Sequence, residues 1–318
     1  MDRVDDAVLD WLLAGDSAVQ YQVRRDLLDD DRPDLQRRVA GDGDAAVLLA
    51  ARGPSGHWGR GFYQPKWTCS HYALLELRDL QLPGEHPACR ETVALVTREK
   101  SPDGGVNPIG RVHRSDVCIN GMFLAYACHF GADEAALTSV VDMLLGQQMA
   151  DRGFNCHSNR SGARVSSVHT TSSVIDGFAE YLRQGYSHRS DEVATALAAA
   201  TETLLTRRLY QRRSDGEPIR AEFTRLHHPA RWYFDVLRGL EVVRAAGVRL
   251  DPRLSDALDL LRRRRRPDGR WAATSQYPGE TQLDYPRAGE PNRWVTLRAL
   301  RVLRELSGGV APVSVPRR

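Results

Sequence analysis

Helical stretches of two kinds alternate along this chain, and they differ in how their apolar residues are distributed. Stretches such as AALTSVVDMLLGQQM (135–149) and SDALDLLRRRRR (255–266) place apolar residues three and four apart and leave a polar face. The stretches that follow them are apolar on nearly every side: HYALLELRDL, NGMFLAYACHF, SVIDGFAEYL, RWYFDVLRGLEVV and RWVTLRALRVLREL. A helix of the second kind needs neighbours all round it, so we expect an outer and an inner set of helices.

A short turn segment recurs five times between the two kinds of stretch. The segments are GPSGHWG (53–59), SPDGGVN (101–107), ADRGFN (150–155), SDGEP (214–218) and RPDGRW (266–271). Asp followed by Gly favours a tight turn, because Asp bonds its own backbone and Gly accepts a positive φ. Repetition of one helix, turn and helix unit predicts an all-α repeat fold.

The repeats also predict the domain organisation. The chain has 318 residues, 42% of them hydrophobic, which is enough for a substantial core. We expect an N-terminal helical segment (1–52) that packs on the repeats, a single repeat domain (53–308) and a frayed tail (309–318).

Charge and composition exclude several classes of function. The 44 Lys and Arg residues against 41 Asp and Glu leave a formal charge of only +3, so nucleic acid is not an expected partner. No window is apolar enough for a transmembrane segment, and the acidic start of the chain is unlike a secretory signal, so a cytoplasmic location is expected. The five cysteines are then expected to be thiols or metal ligands rather than disulfides.

The turns at 268–271 (Asp-Gly-Arg-Trp) and 55–58 (Ser-Gly-His-Trp) carry a family resemblance, because each leads into an inner helix. They resemble the repeats shared by squalene-hopene cyclases and the β subunits of protein prenyltransferases, and the resemblance covers roughly residues 53–307. It implies an α/α toroid of about five to six helical hairpins, with the reaction cavity at the end where the inner helices start.

Two successive inner helices begin with residues that can bind a metal ion. Asp116 and Cys118 lie at the start of one helix, and His169 lies at the start of the next. Oxygen, thiolate and imidazole ligands suit Zn²⁺ and leave one position open for water or substrate. The arrangement is similar to the zinc site of protein prenyltransferase β subunits, which implies zinc as a cofactor. Cys156, beside the third turn, is a fourth candidate ligand, and its participation would close the site into a structural one.

Further residues are candidates for the substrate chamber. Arg111 and Arg114 lie just before Asp116, where they are candidate anion-binding residues of the catalytic site, and His228 follows His169 by one repeat and is expected to face the same chamber. The aromatic candidates for lining the cavity are Trp67, Trp232, Tyr233 and Trp294. Arg231 and Asp235, four residues apart on an expected helix, are predicted to form an ion pair.

Three functions are consistent with these patterns. The first is a zinc-dependent enzyme, resembling prenyltransferases, that acts on a hydrophobic, isoprenoid-like small molecule with zinc activating a thiol or water. The resemblance also implies a second, helical subunit as a partner. The alternatives are a metal-independent terpenoid cyclase, which needs an acid directed into the chamber, and a non-catalytic binding or scaffold protein with a structural zinc ion. The repeats contain no Asp-x-Asp-Asp motif, so the cyclase ranks below the zinc-dependent enzyme.

Overall fold

The protein is all-α in the residues that the structure, a computed structural model, describes: 4–106, 114–274 and 278–306. Its α-helices are α1 (Asp6–Leu13), α2 (Ser17–Leu27), α3 (Pro33–Arg38), α4 (Gly43–Ala50), α5 (Ser70–Asp79), α6 (Pro87–Arg98), α7 (Val117–His129), α8 (Glu134–Gly146), α9 (Ser158–Ser161), α10 (Val168–Arg183), α11 (Ser190–Leu205), α12 (Val236–Ala245), α13 (Ser255–Arg263) and α14 (Arg293–Leu306). These residues form isolated β-bridges but no sheet. The prediction of an all-α fold is confirmed.

The recurring turns share one backbone geometry. In four of them the first N–H donates to the carbonyl four residues later, at 2.8–3.0 Å: Gly53 to His57, Ser101 to Gly105, Met149 to Gly153 and Arg266 to Arg270. One residue in each turn has a positive φ, and it is Gly in every case except the third turn, where Arg152 has a φ of 68°. The turn therefore recurs in structure even where its sequence departs from Asp-Gly.

Each of these four turns is also fixed to the inner helix that follows. The residue after the turn is fully buried, and its N–H donates to a side-chain oxygen of that helix: Trp58 to Ser70, Val106 to Asn120, Phe154 to Thr171 and Trp271 to Thr296, at 2.8–3.0 Å. This shared bond sets the register between repeats. Cys118 and His169 each lie two residues before the bonded position, so they are equivalent residues of successive helices.

The helices α7 and α10 pack backbone against backbone. A Cβ added at Gly121 would lie 2.6 Å from the carbonyl carbon and oxygen of Ser173, and one added at Gly177 would lie 2.4 Å from the oxygen of Gly121. Small residues are required where helices approach this closely. The two helices therefore form the tightest contact described between inner helices. Their N-termini lie at the same end of this contact.

Contacts between neighbouring inner helices run in a circle. They pass from α5 to α7, α10, α12 and α14, and from α14 to α2. The amide of Gln22 in α2 then donates to the main-chain oxygen of Asp79 at the end of α5, at 2.9 Å. Circular contact is what an α/α toroid requires, and the toroid itself stays a prediction.

The fourth inner helix begins later than predicted. RWYFDVLRGLEVV is helical only from Val236, because Arg231 has a φ of 55° and the carboxylate of Asp235 caps the helix by accepting the N–H of Arg238 at 2.8 Å. Asp235 also accepts bonds from the N–H and Nδ1 of His227, at 2.7 and 3.0 Å. The predicted ion pair between Arg231 and Asp235 is therefore wrong.

Candidate active site

A cavity of about 570 Å³ lies between the inner helices. The helices α2, α5 and α10 line it with their C-terminal halves, and α12, α14 and the segment 228–231 complete the wall. Its charged lining residues are Arg25, Asp26, Asp44, Glu76, Arg78, Asp79, Asp176, Glu180, Arg183, Arg231, Arg238, Glu241, Arg244, Arg249, Arg298 and Arg301. Among the described residues, nine arginines thus face seven carboxylic acids, an excess of at least two positive charges.

Most of these charges are paired across the cavity wall. Arg78 of α5 binds both oxygens of Asp176 of α10, at 2.8 and 2.9 Å, and Glu180 at 3.2 Å. On the opposite side, Glu241 of α12 binds Arg298 and Arg301 of α14. The guanidinium groups hold the pKa of Glu180 and of Glu241 at about 2 despite the burial that opposes ionisation. The pairs therefore remain ionised and join α5 to α10 and α12 to α14.

Arg231 has two buried nitrogens without a hydrogen-bond partner among the described residues, whereas Arg244 and Arg301 in the same lining have one each. The side chain of Arg231 is buried, with 4% of the residue exposed, and its Nε and Nη1 have no hydrogen-bond partner in the described structure. The guanidinium lies over the ring of Trp67, with 4.0 Å from its central carbon to the ring centroid. A buried cation that lacks a hydrogen-bonded anion is costly, so a ligand that completes these bonds would be bound strongly.

Glu76 lies in the same wall and carries a titratable proton near neutral pH. Burial raises its pKa from 4.5 to about 7, although the positive charge of Arg231 and the hydroxyl of Tyr285 act in the opposite direction. The Tyr285 hydroxyl donates to the carboxyl group and lies 2.9 Å from each of its oxygens. Glu76 therefore has the environment of a general acid or base.

Aromatic rings form another part of the wall, and two of them are predicted site residues. His228 stacks on Trp294 with ring centroids 6.1 Å apart and meets Tyr285 edge to face at 5.7 Å. Enclosure by the protein lowers the pKa of His228 to about 3, so its imidazole is neutral at physiological pH. His228 and Trp294 therefore offer a flat, uncharged surface to a ligand.

The predicted metal ligands lie elsewhere, around the start of α7. The N–H of Cys118 donates to the sulfur of Cys156 at 3.1 Å, and the hydroxyl of Thr170 donates to the same sulfur at 3.5 Å. The interaction between the two thiols is the largest influence on each, and it lowers the pKa of Cys156 and raises that of Cys118. Cys118 and Cys156 are the two half-buried cysteines of the chain, whereas Cys69, Cys89 and Cys128 are buried.

His169 does not join this pair of thiols. Its Nδ1 accepts the N–H of Phe234 at 2.8 Å, and its ring packs against Phe223 and Trp232 at centroid distances of 5.1 and 5.4 Å. Trp232 stacks on Tyr233 at 3.8 Å. These two predicted cavity residues therefore enclose His169 instead of lining the charged cavity. Burial lowers the pKa of His169 to about 4.

The other predicted site residues have separate positions. Asp116 is the N-cap residue of α7 and half-buried, Arg114 is exposed before it, and Trp67 supports Arg231. Arg111 lies outside the described residues.

Within the described ranges, no group of three or more His, Cys, Asp and Glu side chains could hold a metal ion. The four predicted zinc ligands thus do not form a fitting donor set there, and zinc stays a prediction.

The sequence pattern did not indicate Glu76 or Tyr285, and it assigned Arg231 to an ion pair with Asp235 instead of to a ligand. A signal for the cavity was present, because charged residues three or four apart interrupt otherwise apolar inner helices. The pairs are Glu76 and Asp79, Asp176 and Glu180, Arg238 and Glu241, and Arg298 and Arg301. Such spacing places both charges on one helix face, which points inward when the helix is surrounded.

Comparison with known proteins leaves the function open. No protein-family model matches the chain, and no curated protein matches it. The chain is similar to a solved structure described as a protein from Actinoplanes, with 16% identity, a TM-score of 0.47, and coverage of 91% of this chain and 88% of that one. No described helix is both long and apolar enough to cross a bilayer.

Proposed function

We propose that the charged cavity is the active site of an enzyme that binds a small anionic molecule and transfers a proton to or from it. The observation that carries the proposal is Arg231, a buried guanidinium with unpartnered nitrogens, in the same wall as a glutamic acid that titrates near neutral pH. An anion would supply the hydrogen bonds that Arg231 lacks, and Glu76 is the group available to move a proton.

The size and the lining of the cavity support this assignment. A volume of about 570 Å³ lies within the range of roughly 300–1,000 Å³ that is usual for small-molecule sites. The excess of two positive charges favours an anion, and the flat face of His228 and Trp294 favours a planar part of the ligand. A purely apolar isoprenoid chain would leave these charges without partners, which argues for a polar substrate.

The zinc-dependent reaction on an isoprenoid-like substrate remains the alternative enzyme. It is supported by the approach of Cys118 to Cys156, two of the four predicted ligands. The scaffold protein and the terpenoid cyclase also remain predictions, and Glu76 is the acid that a cyclase would use.

Sulfate binding tests the proposed anion site, because sulfate keeps its charge across the pH range in which Glu76 titrates. We expect sulfate to raise the melting temperature of the wild type and of Arg264→Gln, which changes an exposed arginine of the outer surface. Arg231→Gln should lose the response. An equal sulfate response in Arg231→Gln and the wild type would contradict the proposal.

The pH dependence of sulfate binding tests Glu76. A protonated, neutral Glu76 tolerates a nearby anion, whereas its carboxylate repels one, so sulfate affinity measured by calorimetry should fall as the pH rises through about 7. Glu76→Gln should lose the part of this dependence near pH 7, while Asp79 of the same lining, whose pKa burial raises to about 6, keeps the part at lower pH. A pH dependence that persists unchanged in Glu76→Gln would exclude Glu76 as the titrating group.

A further inference from the structure

The pair formed by Cys118 and Cys156 is a second chemically distinctive site, and it lies outside the lining of the charged cavity. The two residues are 38 positions apart in the chain and are brought together by the turn at 150–155 and the start of α7. Both are accessible in part, while the three remaining cysteines are buried. The pair thus combines two neighbouring thiols with more exposure than any other cysteine of the chain has.

The geometry around Cys156 favours its sulfur as the attacking atom. It accepts bonds from the N–H of Cys118 and from the hydroxyl of Thr170, at 3.1 and 3.5 Å. Donors that converge on one sulfur stabilise the negative charge that a nucleophilic thiol must carry. Cys118, whose N–H is one of these donors, is placed as the resolving partner.

We propose that Cys118 and Cys156 form a redox site that is oxidised to a disulfide by a small-molecule disulfide. The sulfur of Cys156 attacks one sulfur of the reagent, the reagent's S–S bond breaks, and the first small thiol leaves with the proton that Cys156 releases. The sulfur of Cys118 then attacks the Cys156 sulfur of the mixed disulfide. The second small thiol leaves with the proton of Cys118, so two protein thiols are oxidised and one small disulfide is reduced to two thiols.

Oxidised glutathione is the probe, added to the full, reduced chain in the presence of a chelator. We expect the wild type to lose two of its five thiols and to lose about 2 Da in intact mass, the mass of two hydrogen atoms. Peptide mapping without reduction should locate the bond between Cys118 and Cys156. Cys128→Ser, a buried cysteine on the same helix as Cys118, is the matched control and should behave like the wild type.

The single variants sharpen the test. Cys118→Ser removes the resolving thiol, so Cys156 should retain glutathione as a mixed disulfide, and Cys156→Ser should retain much less on Cys118. A wild-type chain that forms no bond between Cys118 and Cys156 would overturn the proposal. Zinc bound at one ion per chain before chelation, and lost in both single variants, would also overturn it, because the thiols would then be metal ligands.

Discussion

The helix α10 passes two regions whose polar groups are satisfied in different ways. Near its start, the hydroxyl of Thr170 donates to the sulfur of Cys156 and accepts the N–H of the same residue, and His169 accepts the N–H of Phe234. In its second half, Asp176 and Glu180 are held by arginines of α5 and α10 itself. The first region is neutral and aromatic, whereas the second is a network of ions.

The two regions should differ in how much stability the chain loses when one polar partner is removed. A buried ion pair contributes modestly when it is complete, but it leaves an uncompensated charge when one partner is removed. A neutral hydrogen bond that is lost costs less, about 1–3 kcal/mol when the remaining group stays buried. Single substitutions should therefore lower the free energy of unfolding more in the region around the cavity than in the neutral region.

The largest effect is expected from Arg78→Met. The substitution leaves Asp176 without its bidentate partner and Glu180 with Arg183 as its remaining arginine, and the loss in the free energy of unfolding should be about 3–5 kcal/mol. Arg189→Met, which breaks pairs with exposed Asp142 and Glu192, should leave the free energy of unfolding nearly unchanged, because solvent screens these pairs. Equal losses of the two variants in urea unfolding would show that the cavity pairs are no stronger than surface pairs.

A smaller, pH-dependent effect is expected from Glu76→Gln. The pKa of Glu76 is higher in the folded chain than in the unfolded chain, so its contribution to stability is complete below about 4.5 and is lost as the pH rises through about 7. The shift corresponds to about 3 kcal/mol between these limits.

The Glu76→Gln variant should lack this component when urea unfolding is repeated from pH 4.5 to 8. Glu217→Gln, at an exposed glutamate, is the control and should follow the wild type. A variant at position 76 with an unaltered pH profile would mean that the buried carboxyl is not the source of the dependence.

The smallest effect is expected in the neutral region, at the crossing of α7 and α10. Gly121→Ala adds a methyl group 2.6 Å from the backbone of Ser173, so the helices must separate, at a cost of about 1–3 kcal/mol. Gly146→Ala in α8 is the matched control, because nothing lies within 4 Å of its added methyl group and the better helix propensity should stabilise the chain slightly. Thermal unfolding that ranks the two variants in the reverse order would contradict the close packing.

The regular part of the fold could be predicted from the sequence because it depends on local chemistry. Turn segments rich in Asp and Gly marked the repeats, and the all-apolar stretches after them became α5, α7, α10 and α14. The fourth repeat was predicted less well, since the positive φ of Arg231 and the cap at Asp235 shorten α12. Neither feature leaves a periodic signal, because both depend on the surrounding loop.

The candidate site was harder to predict because it depends on which helix faces converge. The starts of the helices were expected to surround the cavity, yet α7 contributes no residue to its lining. Glu76 is one of three charged residues in the otherwise apolar stretch HYALLELRDL. The periodicity of this stretch does not show that Arg231 and Tyr285 lie beside Glu76. Tyr285 comes from a loop 209 residues away.

The contact between α14 and α2 has a consequence for how the chain is made. Asp26 binds Arg301 through its side chain and Arg304 through its main-chain oxygen, partners 275 and 278 residues later in the sequence. At a synthesis rate of about 5–20 residues per second, α2 waits on the order of tens of seconds for α14 to leave the ribosome. During that interval the cavity face of α2 exposes Gln22, Arg25 and Asp26 to water, and such polar groups do not promote the aggregation that a bare apolar face would.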